Sequence, residues 1–145
     1  MAAVAPNTQP IFIRSIFHWG ELITNQVIAG GNPVVTTPVL LGTAGENGAL
    51  IETIECIQMP SAGSGTLYFW TKNDDLEYKL IVAPVTLSGT KTVVTLPRLL
   101  APFRTGASAD YAAGLRLEPG ENLYVGAEAT LTGLGWWVHA WGGNY

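Results

Sequence analysis

One cysteine, two histidines and few charges leave this chain little material for active-site chemistry. The lone Cys56 excludes an internal disulfide, and its place in an apolar alternating run reads as a buried thiol and not a reactive one. His18 and His139 have no Cys, His or carboxylate companions at zinc spacing, so no metal site is expected. GxSxG, Walker A and HExxH patterns are absent. Charged residues make up 12% of the chain, against about 25% in an average soluble domain. The seven basic residues (Arg14, Lys72, Lys79, Lys91, Arg98, Arg104, Arg116) are scattered, and the net charge is -4. A stripe that could track phosphates is missing, which argues against a nucleic-acid partner. No apolar run approaches the ~18–20 residues of a spanning helix, so no membrane partner is expected either. The N-terminal stretch lacks both a basic n-region and an apolar h-region, so no signal peptide is expected and the chain should stay in the cytosol that makes it.

What the chain does have is apolar and β-forming. Hydrophobic residues reach 48%, with 17 glycines and 9 prolines as punctuation. The 145 residues fit a single domain over 11–145, preceded by a flexible arm over 1–10 that holds Pro6 and Pro10. Ile11 to Thr24 is rich in β-branched and aromatic residues, with Gly20 read as a bend between two short strands. Asn25 to Pro33 reads as a loop, and Val34 to Gly42 as a strand in which Pro38 marks an edge or a bulge. Ala49 to Met59 is the best central strand. Its apolar residues Ile51, Ile54 and Cys56 break strict alternation, and a bulge near Glu52 and Thr53 returns all three to one face. In Thr66 to Lys72 the Leu67, Phe69, Thr71 face is taken as core. Asn73, Asp74 and Asp75 form a hairpin turn into Leu76 to Val85, and Lys91 to Leu96 is another strand. Leu99 to Gly114 is too long for an ordinary hairpin connection and reads as a functional or mobile loop carrying Phe103, Arg104 and Tyr111. The total is about eight to ten short strands and no helix, the pattern of an all-β, antiparallel β-sandwich of jelly-roll-like form.

The C-terminal stretch, Leu115 to Tyr145, places the question of function. Period-2 geometry sends Trp136, Val138 and Ala140 to one face of the last strand and Trp137, His139 and Trp141 to the other. With tryptophan on both faces, the second must be covered by this chain, by a partner or by a ligand. The tryptophans lack Asp, Asn or Arg companions in the local sequence, which disfavours a sugar site. Asn73, Asp74, Asp75 and Glu77 lack the glycine and distal glutamate of a calcium loop. Glu52 and Glu55 read as outward solubilising charges and not as a catalytic pair. The glycine-rich turns near Gly45 and Gly63 join strand to strand and cradle no phosphate. Neither a cofactor nor an enzymatic activity is expected.

Leu115, Arg116, Leu117, Glu118, Pro119, Gly120, then Leu123, Val125 and Ala127, and an ending Val138, His139, Ala140, Trp141, Gly142, Gly143, Asn144, Tyr145 resemble the C-terminal signature of small tailed-phage virion proteins, which often end in Gly-Gly-Asp and an aromatic. Gly42 to Gly48, leading into Ile51, Ile54 and Cys56, and Ser64 to Trp70 are similar to the same pattern. The resemblance covers Leu41 to Leu96 and Leu115 to Tyr145, with Asn144 standing where Asp is common and Leu99 to Gly114 as an insertion. It implies a structural phage virion protein, a capsid decoration or cement protein that binds the major capsid protein; a second copy of the chain, in a homo-oligomer, is a further partner option that the sequence leaves open. The location implied is the capsid surface of the virion, after synthesis in the host cytoplasm. It carries no catalytic residues. The contact candidates are the arm, the loop residues Phe103, Arg104 and Tyr111, and Trp137 and Trp141 as anchors. The alternative is a tail, baseplate or head-fibre module that touches a host glycan.

Overall fold

A computed structural model describes residues 15–24, 28–29, 32–35, 38–72, 79–80, 84–96, 114–128 and 130–145. The expected arm, the turn at Asn73 to Asp75, and Phe103, Arg104 and Tyr111 lie outside the described residues.

The fold is an all-β sandwich of two antiparallel sheets. The strands are β1 (Ser15–Ile23), β2 (Ile28–Ala29), β3 (Asn32–Val35), β4 (Val39–Thr43), β5 (Ala49–Gln58), β6 (Gly65–Lys72), β7 (Lys79–Leu80), β8 (Val85–Leu87), β9 (Lys91–Val93), β10 (Leu115–Leu117), β11 (Asn122–Ala127) and β12 (Trp136–Asn144). The first sheet runs β1-β12-β5-β10, with β9 also pairing β5; the second runs β4-β11-β6-β7, with β8 also pairing β6. A small separate ladder joins β2 to β3. Across both sheets the pairing is nested: β1 meets β12, β4 meets β11, β5 meets β10 and β9, and β6 meets β8 and β7. The chain is thus one long hairpin whose two arms cross together between the sheets, the jelly-roll way of wrapping strands.

The core lies where the two inner faces meet. Ile51, Ile54 and Cys56 of β5, Leu67 and Phe69 of β6, Leu123 and Val125 of β11, and Trp136, Val138 and Ala140 of β12 are all fully buried. The β5 pattern works through a bulge where the spacing calls for one. Thr53 pairs Trp141 while Ile51 pairs Gly142, so Glu52 is the extra residue. Inserting one residue reverses the phase, and Ile51 rejoins the face of Ile54 and Cys56. The indole N–H of Trp136 donates to the carbonyl of Gly63 at 2.8 Å, which satisfies the polar atom of the largest inner side chain on β12.

Several expectations change. Gly20 is no bend: β1 runs unbroken in one-to-one register with β12 over all nine residues. A Cβ on Gly20 would sit 3.3 Å from the Trp137 indole, so the glycine makes room for a cross-strand ring and does not turn the chain. The stretch read as a loop before Val34 contains β2 and the start of β3, and the single strand expected from Val34 to Gly42 is two, with Pro38 ahead of the second. The strand expected over Leu76 to Val85 is likewise divided between β7 and β8, and that over Lys91 to Leu96 stops at Val93, although Val94 and Leu96 stay buried. Trp70 is fully buried although it lies on the face of β6 opposite Leu67 and Phe69, so the second sheet carries burial on both sides there. The three C-terminal strands β10, β11 and β12 are split between the sheets. The middle strand belongs to the second sheet and its neighbours to the first.

Candidate functional site

The outer face of the first sheet is where side chains unneeded by the core gather. Alternation from the buried residues fixes its membership. From β1 come Ile16, His18, Gly20 and Leu22; from β12, Trp137, His139, Trp141 and Gly143; from β5, Leu50, Thr53, Glu55 and Ile57; from β9, Lys91 and Val93; from β10, Arg116. Ile16 is 86% exposed, Val93 57% and Leu22 39%, around the half-buried Trp137, His139 and Trp141. An apolar surface of this extent on a sheet that is already fully packed on its other side serves something other than the core.

At its centre is a contiguous ring system. The His18 and Trp141 rings are 7° from parallel with centroids 4.8 Å apart, and His139 and Trp141 are 14° from parallel at 5.1 Å. Trp137 meets His139 edge-on at 5.4 Å. Nε2 of His18 lies 2.6 Å from Nδ1 of His139, and the Trp137 indole N–H donates to the same Nδ1 at 3.0 Å. Strand pairing builds this cluster: His18 stands opposite Trp141, and Gly20, by having no side chain opposite His139, leaves space for the Trp137 ring. Burial, and after it the neighbouring His18, hold His139 below the ordinary histidine pKa, with Glu55 acting in the opposite sense.

Three charged side chains accompany the rings, Glu55 directly across from His139 and Lys91 and Arg116 farther out on β9 and β10. Lys91 Nζ and Glu55 Oε1 form an ion pair at 2.6 Å, and the Arg116 guanidinium sits 5.7 Å above the Tyr145 ring. The C-terminal residues are tied down by specific bonds: the Asn144 side-chain oxygen accepts from Gly45 N–H at 2.9 Å, its amide donates to Ser15 Oγ at 3.3 Å, and Tyr145 N–H donates to Gly48 O at 3.1 Å. An aspartate at 144 could accept the first of these bonds but could not donate the second.

Of the anticipated contact residues, Trp137 and Trp141 are brought together on this face. Sequence reasoning missed His18 and His139 as partners, because a separation of 121 positions carries no local signal and only the β1–β12 register unites them. It also read the tryptophans as lacking polar company. His18, His139, Thr53 and Glu55 stand beside them, supplied by neighbouring strands and not by neighbouring sequence. Among the described residues no three His, Cys, Asp or Glu side chains converge as metal ligands. The cleft of about 250 Å³ beside β8 and β9 is lined by Pro84, Val85, Thr86, Thr92, Val93 and Thr95, with no titratable side chain. No family model matches the chain, and no curated protein or solved structure matches it.

Proposed function

We propose that this chain is a structural protein of a phage virion, a cement or decoration protein that docks on the major capsid protein through the outer face of its first sheet. The observation that carries the reading is that face itself: Ile16, Leu22 and Val93 exposed around Trp137, His139 and Trp141, with Lys91 and Arg116 at the rim. An apolar, aromatic centre with a polar margin is the composition of a protein–protein contact. Two tryptophans at the centre are natural anchors. Apolar burial contributes roughly 25 cal/mol per Å² before the losses of docking are subtracted, so a single contact of modest affinity suffices when many symmetric copies act on one shell. The resemblance of Leu41 to Leu96 and Leu115 to Tyr145 to small virion proteins supplies the setting, and contact between copies of the chain is a second partner choice within it.

The test is co-sedimentation of the purified protein with capsids lacking it. The wild-type chain should pellet with the shells, and Trp137→Ala with Trp141→Ala together should weaken that binding by tenfold or more. A wild-type chain that stays in the supernatant would remove the cement reading.

One observation favours a second reading, a tail, baseplate or head-fibre module that touches a host glycan. Thr53, Glu55, His18 and His139 put hydrogen-bonding groups beside the Trp141 ring, the combination of stacking surface and polar groups that a sugar needs. Binding of the isolated chain to a glycan array, lost in Trp141→Ala, would select this reading over the first.

A further inference from the structure

His18 and His139 are joined in a way that accommodates one proton between them and resists a second. Their rings are 10° from parallel with centroids 4.8 Å apart, yet Nε2 and Nδ1 are only 2.6 Å apart. The nitrogens are nearer than the centroids by about the full width that two imidazoles can contribute. That is possible only when each nitrogen points along the line between the rings. The rings therefore lie edge to edge, nearly in one plane, with the two nitrogens facing each other.

Trp137 decides which nitrogen carries the hydrogen. An indole N–H can only donate, and it donates to Nδ1 of His139. That nitrogen must present a lone pair, so the network assigns His139 as the neutral Nε2–H tautomer and His18 as the donor through its own Nε2–H. Nδ1 of His18 takes no part in either bond, so a proton there would leave both bonds to His139 intact and set a cation beside the parallel Trp141 ring.

A second proton has no such place. It must go to Nδ1 of His139, where it turns the acceptor of two hydrogen bonds into a donor facing two donors, and it sets two cations side by side. Among the charged groups around the pair, Glu55 favours a proton on His139, and burial and His18 outweigh it. Glu55, directly across from His139 on β5, is engaged with Lys91 of β9; Glu21 of β1 falls on the opposite phase of its strand; Arg116 of β10 is over Tyr145; and β12 contributes only Trp137 and Trp141 to this face. Double protonation therefore separates the rings and releases the Trp137 indole from its anchor.

We propose that the outer face of the first sheet is a pH-sensitive surface whose switch is the second proton on the His18–His139 pair, with docking weakened when that proton binds. The docking consequence rests on the proposed function, whereas the switch is a property of the chain alone.

The experiment has two arms on the full chain. In the first, proton NMR follows the histidine Cε1–H and tryptophan indole N–H resonances from about pH 8 to pH 4, a range that brackets an unperturbed histidine. The step that protonates His139, the second proton on the pair, should move its own resonance and the Trp137 indole together. In His18→Ala, and in His18→Gln as a second variant, the His139 midpoint should rise, with the core methyl dispersion reporting the fold in the same samples. A single shared step with the Trp137 indole unmoved, or a His139 midpoint unchanged in both variants, would overturn the switch. In the second arm, wild-type affinity for capsids is measured over the same range and should fall at least tenfold across the second step. Constant affinity across that step would overturn the docking consequence and leave the switch standing. Absence of capsid binding at every pH would overturn the proposed function, with the NMR arm still deciding the switch.

Discussion

The Trp19 indole of one sheet lies across Gly42 of the other, so close that a Cβ on Gly42 would fall 1.9 Å from the ring. Phe17 stacks on the same indole at 3.9 Å and 9°, and together they close the sandwich between β1 and β4. Gly42→Ala should therefore expel Trp19 or part the sheets, costing about 3–5 kcal/mol, the range for losing a large aromatic from a core. Gly89→Ala is the contrast. Nothing lies within 4 Å of a Cβ there, and only its left-handed φ of +64° is strained, which costs about 1–2 kcal/mol. Equilibrium urea unfolding of the two variants checks the ordering, and equal losses would count against a sheet-bridging role for Trp19.

The bulge at Glu52 makes a second prediction. Because the extra residue sets the phase for everything before it on β5, deleting Glu52 swaps Ile51 with Leu50 between the inner and outer faces and disturbs the pairing of β10 with Ala49 to Ile51. Misplacing Ile51 alone forfeits about 1.5–3 kcal/mol, and the broken β10 register adds to it. The deletion should lower the melting temperature by roughly 10 °C or prevent folding. Glu52→Ala, which keeps the residue count and removes only an exposed carboxylate, should stay within about 0.5 kcal/mol of wild type. Thermal melts of both would show whether it is the count or the charge that matters.

That same bulge marks how far a sequence can be read. The spacing of Ile51, Ile54 and Cys56 makes sense only if one residue is looped out, so a purely local pattern disclosed a tertiary feature. The alternation of Trp136, Val138 and Ala140 against Trp137, His139 and Trp141 was legible for the same reason, as a period that one strand carries in itself. What failed was whatever depends on a neighbouring strand. Gly20 looks like a hinge in its own strand and is a socket for Trp137 once β12 is beside it. Trp70 sits on the face assigned to the outside by its own strand and is nevertheless buried. The histidine pair is the clearest case, since neither residue has any neighbour in sequence that announces the other. Pairing register, which no local pattern encodes, is the missing information in each.

Cys56 should behave as an inert thiol. It is fully buried, and desolvation first and Glu55 second push its pKa up to about 12. A folded-state pKa above the unfolded value of about 8.5 means that its contribution to stability is intact below that pH. Above it, the unfolded chain loses the proton that the folded one keeps, and stability falls by up to about 1.4 kcal/mol per pH unit from this group. A disulfide reagent such as DTNB should leave the native protein unlabelled and label it at the rate of global unfolding in mild denaturant. Rapid labelling without denaturant would contradict the burial of β5.

His139 makes the opposite prediction at the acid end. Its pKa is held below the ordinary value, first by burial and then by His18, so in the window beneath about pH 6.5 the unfolded chain binds a proton that the folded chain refuses. The stability owed to the neutral imidazole is therefore complete above that pH and drains away as the pH falls through it toward the folded-state value. In His139→Gln this component is absent, because glutamine does not titrate, while the remaining acidic groups are unchanged. Melting temperatures of wild type and His139→Gln should differ by a constant amount above about pH 7 and converge as the solution is acidified toward pH 5. Parallel curves through the whole range would mean that His139 is as easily protonated in the folded chain as in the unfolded one.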